Sequence, residues 1–222
     1  VLAINDGTPA TLVTEQANIS AKHVFVATNA YTPRMGMYRY SMFPVHQYTL
    51  ATRKLNADEI QHFGLDRWSM RFENNILPVT YNLTPSGHFF VRLVLGYERF
   101  DSSDWKDKQG ARALAIKLFQ QRYPDITDFE LNTGWHGVTG HTARMSTITE
   151  TLGDGNIHVN VAYNGLGIMP GHNSGYLNAC RITGNEDPDI KYLENKSRHV
   201  PVPTNYYRNM LLKPSMNLLA PV

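Results

Sequence analysis

Apolar residues in the first hundred positions come in short runs bounded by turn-forming residues, the pattern of strands rather than helices. "VLAIND" and "TLVTEQ" flank Gly7-Thr8-Pro9, a turn of the hairpin kind. The continuous apolar run Val24 to Ala27 in "AKHVFVAT" predicts a strand buried on both faces, so residues 1–27 read as three strands. From Met42, "MFPVHQYTLATRKL" is rich in β-branched and aromatic residues and predicts a further strand. "NADEIQHFG" interrupts with a short helix: Asn56 as N-cap, Glu59 closing a capping box, Gly64 as the stop. "RWSMRFE", "ILPVTYNLT" and "HFFVRLVLGYERF" follow as antiparallel strands, with turns at Asn74-Asn75 and at Pro85-Ser86-Gly87.

The clearest helix lies in "DWKDKQGARALAIKLFQQRYP". There Ala111, Leu114, Ala115, Leu118 and Phe119 recur at three and four, and Pro124 ends the run. "FELNTGWHGVTGHT" reads as a glycine-broken strand, "NIHVNVAYNG" as another, and a helix containing Cys180 follows. Beyond Gly184 the tail is loop-rich, with one helix expected over "TNYYRNMLL". The chain is thus of the α+β class. A fragment of parallel type covers 1–41, and a mixed, largely antiparallel sheet with one long helix covers 42–133. Strands and a helix at 134–184 return to the first fragment, and 185–222 form a tail.

Composition narrows the function classes. With 42% hydrophobic and 18% charged residues the 222-residue chain is ordinary for a globular protein. A net charge of +2 and no Lys/Arg run argue against a nucleic-acid surface, and no apolar stretch of 18 residues predicts a membrane span. Cys180 stands alone, which excludes an internal disulfide, fits a small buried hydrophobe and accords with a reducing cytoplasm. The chain opens on Val1 without a signal-peptide pattern, as a strand already in progress, and is expected to be part of a longer one.

Chemistry concentrates at "VAYNGLGIMPGHNSGYLNAC", where a strand hands over to a helix through Asn164-Gly165-Leu166-Gly167. Glycines at such a place supply positive φ or let another group come close, and a helix start offers unpaired N–H groups. The dinucleotide pattern G-x-G-x-x-G fails here. Pro170 takes the third glycine's place, and Glu186 and Asp187 follow a helix end rather than a second strand. A plain strand-to-helix connection is the bland alternative. His136 and His141 stand five apart, on opposite faces of a strand, and no acidic partner is near, so no metal site is expected.

Three further segments in fixed order accompany the turn: Ala27-Thr28-Asn29 after an apolar strand, Pro44-Val45-His46-Gln47, and Trp135-His136-Gly137 with Thr142. Together with Ala162 to Met169 this order resembles the flavin-dependent amine and amino-acid oxidoreductases of the D-amino-acid-oxidase and glycine-oxidase type. "QYTLATRKL" and the Trp-x-Gly region are most similar to the gamma-glutamylputrescine oxidoreductase branch. The resemblance implies FAD as cofactor and a small-molecule amine as substrate. It places Ala27, Thr28, Trp135, Gly137, Asn164, Gly165, Leu166, Gly167, Ile168 and Met169 at the flavin. It also implies that one face of the mixed sheet covers the flavin, which makes His46, Tyr48, Arg71, Tyr81 and Arg92 candidates to touch substrate.

Where members taking free amino acids carry a cation beside the closing loop, this chain has the neutral Gly165 and Met169. The expected substrate is an amine whose carboxylate is absent or far from the reacting carbon. The family's amino-terminal G-x-G-x-x-G unit has no counterpart here, so this chain alone is expected to hold FAD poorly. A non-catalytic binding domain and a nicotinamide-dependent dehydrogenase remain open as alternative readings.

Overall fold

A computed structural model describes residues 1–67, 70–74, 78–97, 108–126, 133–185, 187–196, 200–202 and 210. The chain divides into two compact units. Unit 1 comprises Val1–Pro44 and Thr139–Thr204, and unit 2 comprises Val45–Val138 and Asn205–Val222.

Unit 1 opens with an antiparallel meander of β1 (Ala3–Asn5), β2 (Ala10–Val13) and β3 (Asn18–Ala21). β3 is a strand the sequence pattern does not announce. Its Asn-Ile-Ser-Ala stretch leaves Ile19 half exposed, so no buried face imprints a period on it. β4 (Val24–Val26) lies parallel to β11 (Ile157–Val161), with Val26 opposite Val159, and β11 pairs antiparallel with β10 (Ile148–Leu152). β4 is buried on one face only, since Val24 and Val26 point inward while Phe25 is 54% exposed. The expected two-sided burial is corrected here: the core packs on the face that carries Val24 and Val26, and among the described residues the face that carries Phe25 stays largely open. The core gathers Ala10, Val24, Val26, Met42, Ile148, Val159 and Val161. Two helices complete the unit, α3 (Ile168–Thr183) and α4 (Pro188–Lys196). Cys180 is buried on α3.

α4 replaces the loop expected after Gly184, and its start obeys simple rules. Pro188 occupies the first turn, where a missing N–H costs nothing, and Asp187 accepts the N–H of Asp189 at 2.9 Å. Of the helix expected over "TNYYRNMLL", all but Met210 lies outside the described residues.

Unit 2 is a five-stranded sheet in the order β6-β7-β8-β5-β9. The strands are β5 (Phe43–Lys54), β6 (Met70–Phe72), β7 (Thr80–Leu83), β8 (His88–Tyr97) and β9 (Thr133–His141); the ends of β5 and β9 run on into unit 1. α1 (Ala57–His62) forms with both halves of its capping box made, Asn56 to Glu59 and back. α2 (Lys108–Arg122) lays Ala111, Ala115, Leu118 and Phe119 against Tyr48, Leu50, Tyr81, Phe89, Val91 and Leu93. That core assigns the sheet's faces. Tyr48, Leu50, Phe89, Val91 and Tyr81 look toward α2, and the residues between them look away.

Candidate functional site

In unit 1 the parallel pairing of β4 and β11 brings the turns at their carboxyl ends side by side. Crevices at such ends are where open parallel sheets hold ligands. Ala27 and Thr28 leave β4 exposed. Asn29 then takes φ +44°, a conformation that asparagine tolerates better than most residues. Its side-chain oxygen accepts the N–H of Ala162 at 3.1 Å, tying the two turns together. The end of β9 crosses closely at Gly140, where an added Cβ would lie 2.7 Å from Met42 Cε and 2.9 Å from Asn29 Oδ1.

The loop from β11 to α3 is held from within. Ala162 and Asn164 take φ +62° and +55°, and Gly165 takes +84°. Asn164 secures this path with three hydrogen bonds. Its N–H donates to the Gly140 carbonyl at 3.1 Å, and its Nδ2 donates to the Ala162 carbonyl at 2.7 Å. Its Oδ1 accepts the Thr142 N–H at 2.9 Å. The Tyr163 hydroxyl donates to the Asn160 carbonyl at 2.9 Å, and burial pushes its pKa up.

α3 begins bare. Its N-cap Gly167 has helical φ −68° and ψ −24°, no side chain caps it, and no acidic residue stands in the first turn. The first intrahelical bond runs from the Gly171 N–H to the Gly167 carbonyl, and Pro170 has no N–H. The N–H groups of Gly167, Ile168 and Met169 therefore have no acceptor within the helix. Around them Leu166, Ile168 and Met169 are 64%, 89% and 80% exposed. A Cβ on Gly167 would meet nothing nearer than the Tyr163 ring at 3.6 Å, so the chain itself has no need of glycine there. A bare donor cluster, apolar surroundings and an unexplained glycine suit a flat, mostly apolar ligand with an electron-rich edge.

Unit 2 sorts the other candidates. Trp135 is half exposed on β9, and a Cβ on Gly137 would meet open space. His46 is buried, with Nδ1 2.7 Å from His136 Nε2 and the rings stacked at 4.9 Å. Tyr48 belongs to the core facing α2. Arg71 pairs across the ladder with the core residue Tyr81 and so shares its face; it influences the ionisation of Tyr123. Burial is the first cause of the upward shift of Tyr81, whose hydroxyl donates to Glu73 at 2.9 Å. Among Tyr48, Arg71, Tyr81 and Arg92 only Arg92 looks away from α2, beside Gln47, Thr49 and Thr80, which alternation from the core residues puts on the same face; at His46 a register irregularity interrupts that alternation.

The structure thus gathers Ala27, Thr28 and Asn164 to Met169 within unit 1, and holds Trp135, Gly137, His46, Tyr48, Arg71 and Arg92 in unit 2. Sequence reading quoted Asn29 and Gln47 within its motifs but gave neither a role of its own, and it did not single out Gly140 or Thr80. Only a glycine in a strand interior marked Gly140 in advance.

No curated protein sequence matches the chain. Among solved structures, glycine oxidase from Geobacillus kaustophilus superposes with a TM-score of 0.70 at 18% identity, over 90% of this chain and 52% of that one. Glycine oxidase from Bacillus cereus ATCC 14579 gives 0.63 at 13% identity, over 84% of this chain and 49% of that one. Fructosyl amine:oxygen oxidoreductase (Amadoriase I) from Aspergillus fumigatus gives 0.65 at 12% identity, over 87% and 47%. The chain spans about half the length of these relatives and shares their mixed α/β fold. A family model described as DAO, FAD dependent oxidoreductase, matches residues 1–181, and the chain belongs to that FAD-dependent family.

Proposed function

We propose that this chain carries the substrate-binding sheet and the returning flavin contacts of an amine oxidoreductase, one that oxidises a C–N bond to an imine that water then hydrolyses. The observation that carries this reading is the bare start of α3 beside a glycine that the chain does not itself require. When bound, FAD supplies the acceptor for the hydride that leaves the carbon next to the amine nitrogen. The N–H groups of Gly167, Ile168 and Met169 would hold the electron-rich edge of the flavin ring, and Gly167 lets the backbone come within reach. Donors of this kind act on negative charge as it develops and are each worth about 3 kcal/mol in well-studied anion holes. Leu166, Ile168 and Met169 would exclude water from the ring, and a dry surround favours the neutral amine that hydride loss requires. Ala27 and Thr28, on the neighbouring turn, complete the flavin-facing rim in this reading. Within the family we read the branch as the gamma-glutamylputrescine oxidoreductase one, on the likeness of "QYTLATRKL" and the Trp135-His136-Gly137 region, and the neutral Gly165 and Met169 beside the loop accord with an amine whose carboxylate is absent or far from the reacting carbon.

The test is a visible spectrum of the longer protein that contains this chain, purified and then mixed anaerobically with candidate amines. Flavin bands that bleach with an amine support the reading. A protein that stays colourless after incubation with FAD overturns it, and the glycine turn becomes a plain connection.

A further inference from the structure

A helix start frays unless something takes or fixes its free N–H groups. α3 has neither a capping side chain nor an acid in its first turn. Yet the N–H groups of Gly167, Ile168 and Met169 can act on developing charge only if their direction is set beforehand. The loop residue just ahead of Asn164 meets that requirement. Tyr163 makes three attachments, all within unit 1. Its carbonyl accepts the Leu166 N–H at 3.0 Å and closes the turn that carries Gly165. Its ring runs beneath the first turn of α3. A Cβ on Gly167 would lie 3.6 Å from Tyr163 Cδ2, and one on Gly171 would lie 3.7 Å from Cζ. Because both positions are glycine, the ring meets helix backbone at each end. Its hydroxyl donates to the Asn160 carbonyl at 2.9 Å.

The third attachment continues the strand's own bonding. The Val24 N–H donates to the Asn156 carbonyl at 2.9 Å, so alternation along β11 turns the Asn160 carbonyl to the same edge. The register with β4 ends at Val26 opposite Val159, one residue short of that carbonyl, and the Tyr163 hydroxyl stands in for the next strand donor. β11 is itself anchored, with Val159 and Val161 in the core. A tyrosine has only two side-chain torsions, and a packed ring with a bonded hydroxyl fixes both. The first turn of α3 is thereby tied to the most buried strand of its unit.

We propose that Tyr163 is a positioning residue: by bracing the first turn of α3 against β11, it aims the bare N–H groups of Gly167, Ile168 and Met169 at the electron-rich edge of the flavin. The assignment rests on the flavin contact read above. It gives the uncapped helix start a source of rigidity that occupies none of its donors.

The experiment uses the longer protein that contains this chain, as the parent and as Tyr163→Phe, which keeps the ring and loses the bond to Asn160. The first readout needs no cofactor. In the FAD-free variant the Gly171 N–H, which bonds to the Gly167 carbonyl, should exchange about tenfold faster than in the parent, the worth of one hydrogen bond. Amides of β10 and of α3 from Leu177 to Arg181 should exchange as before. The second readout is the midpoint potential of bound FAD. Donors that have lost their aim hold reduced, negatively charged flavin less well than oxidised flavin, and a difference of about tenfold lowers the potential by about 30 mV for two electrons. A tyrosine that only stabilises the fold would weaken both redox states alike and leave the potential where it is. Unchanged exchange at Gly171, or faster exchange with an unchanged potential, overturns the proposal. A parent that takes up no FAD overturns the flavin reading itself, and with it the role assigned to Tyr163, whatever the exchange shows.

Discussion

Gly165 and Gly167 stand two residues apart, yet the chain holds them for different reasons. Gly165 sits at φ +84°, where any other L-residue pays for a Cβ against the following carbonyl. Gly167 sits at φ −68° with open space on its Cβ side out to 3.6 Å. Gly165→Ala should therefore lower the free energy of unfolding by about 1–2 kcal/mol, read as an earlier urea midpoint. Gly167→Ala should leave that midpoint within about 0.5 kcal/mol of the parent and instead reduce the flavin retained through gel filtration of the longer protein. Equal effects of both variants on stability, with flavin content untouched, would remove the ligand-approach role of Gly167. The sequence alone shows that two glycines lie here, but it does not show which one the backbone needs. That distinction lives in dihedral angles that go with Asn164 and Ala162 also taking positive φ, a conformation that asparagine tolerates but that alanine's identity does not announce. Asn29 is harder still: its side chain ties its own turn to Ala162, more than a hundred residues away, and local sequence does not state that contact.

Elements were legible wherever a burial period or a cap is written locally. α1 follows from Asn56 and Glu59, and α2 from apolar residues at three and four, because each depends only on neighbours within one turn. β3 and β10 were missed because they are defined by pairing with β2 and β11, partners that local composition does not mention. The faces of the five-stranded sheet were equally hidden: Tyr48, Arg71 and Arg92 look alike as candidates until the core of α2 decides the register. The β11–α3 connection depends on distant strands in the same way, through Asn164 bonding to Gly140 and Thr142. Asn164→Ala strands the Thr142 N–H and the Ala162 carbonyl, and should cost about 3 kcal/mol in chemical denaturation. Asn164→Asp keeps the acceptor for Thr142 but sets a carboxylate against the Ala162 carbonyl, and should rescue only part of that loss. A loss below about 1 kcal/mol for the alanine variant would mean the loop holds itself without this residue.

At the scale of the whole molecule the family was legible because the order of four weak motifs survives distance, while the division into units emerges only from contacts that the order does not state. The units also differ in how acid reaches them. Burial holds His141 of unit 1 down to about 4 from an ordinary 6.5, its ring stacked on Phe43 and bonded to Thr139. His158, in the same unit, is lowered first by burial and then by His23 and Arg181. Both rings take up a proton less readily in the folded chain than in the unfolded one. The unfolded state therefore binds more protons below pH 6.5, and stability falls as pH drops from there toward 4. Allowing for the partial exposure of His141, its share between pH 7 and 4.5 is about 2 kcal/mol. In unit 2 the carboxyl of Glu59 is held down to about 2, first by Arg53 and then by the N–H of Asn56. That contribution is complete above about 4.5 and is lost as pH falls toward 2, a lower window. Residue-resolved hydrogen exchange at pH 7 and pH 5, corrected for intrinsic rates, separates the two. Amides of β4, β10 and β11 should lose protection at pH 5 while those of β7 and β8 keep theirs, and His141→Phe should restore much of the loss in unit 1. Parallel losses in both units, or a His141→Phe protein as acid-sensitive as the parent, would show that the buried histidines are not what couples this fold to protons.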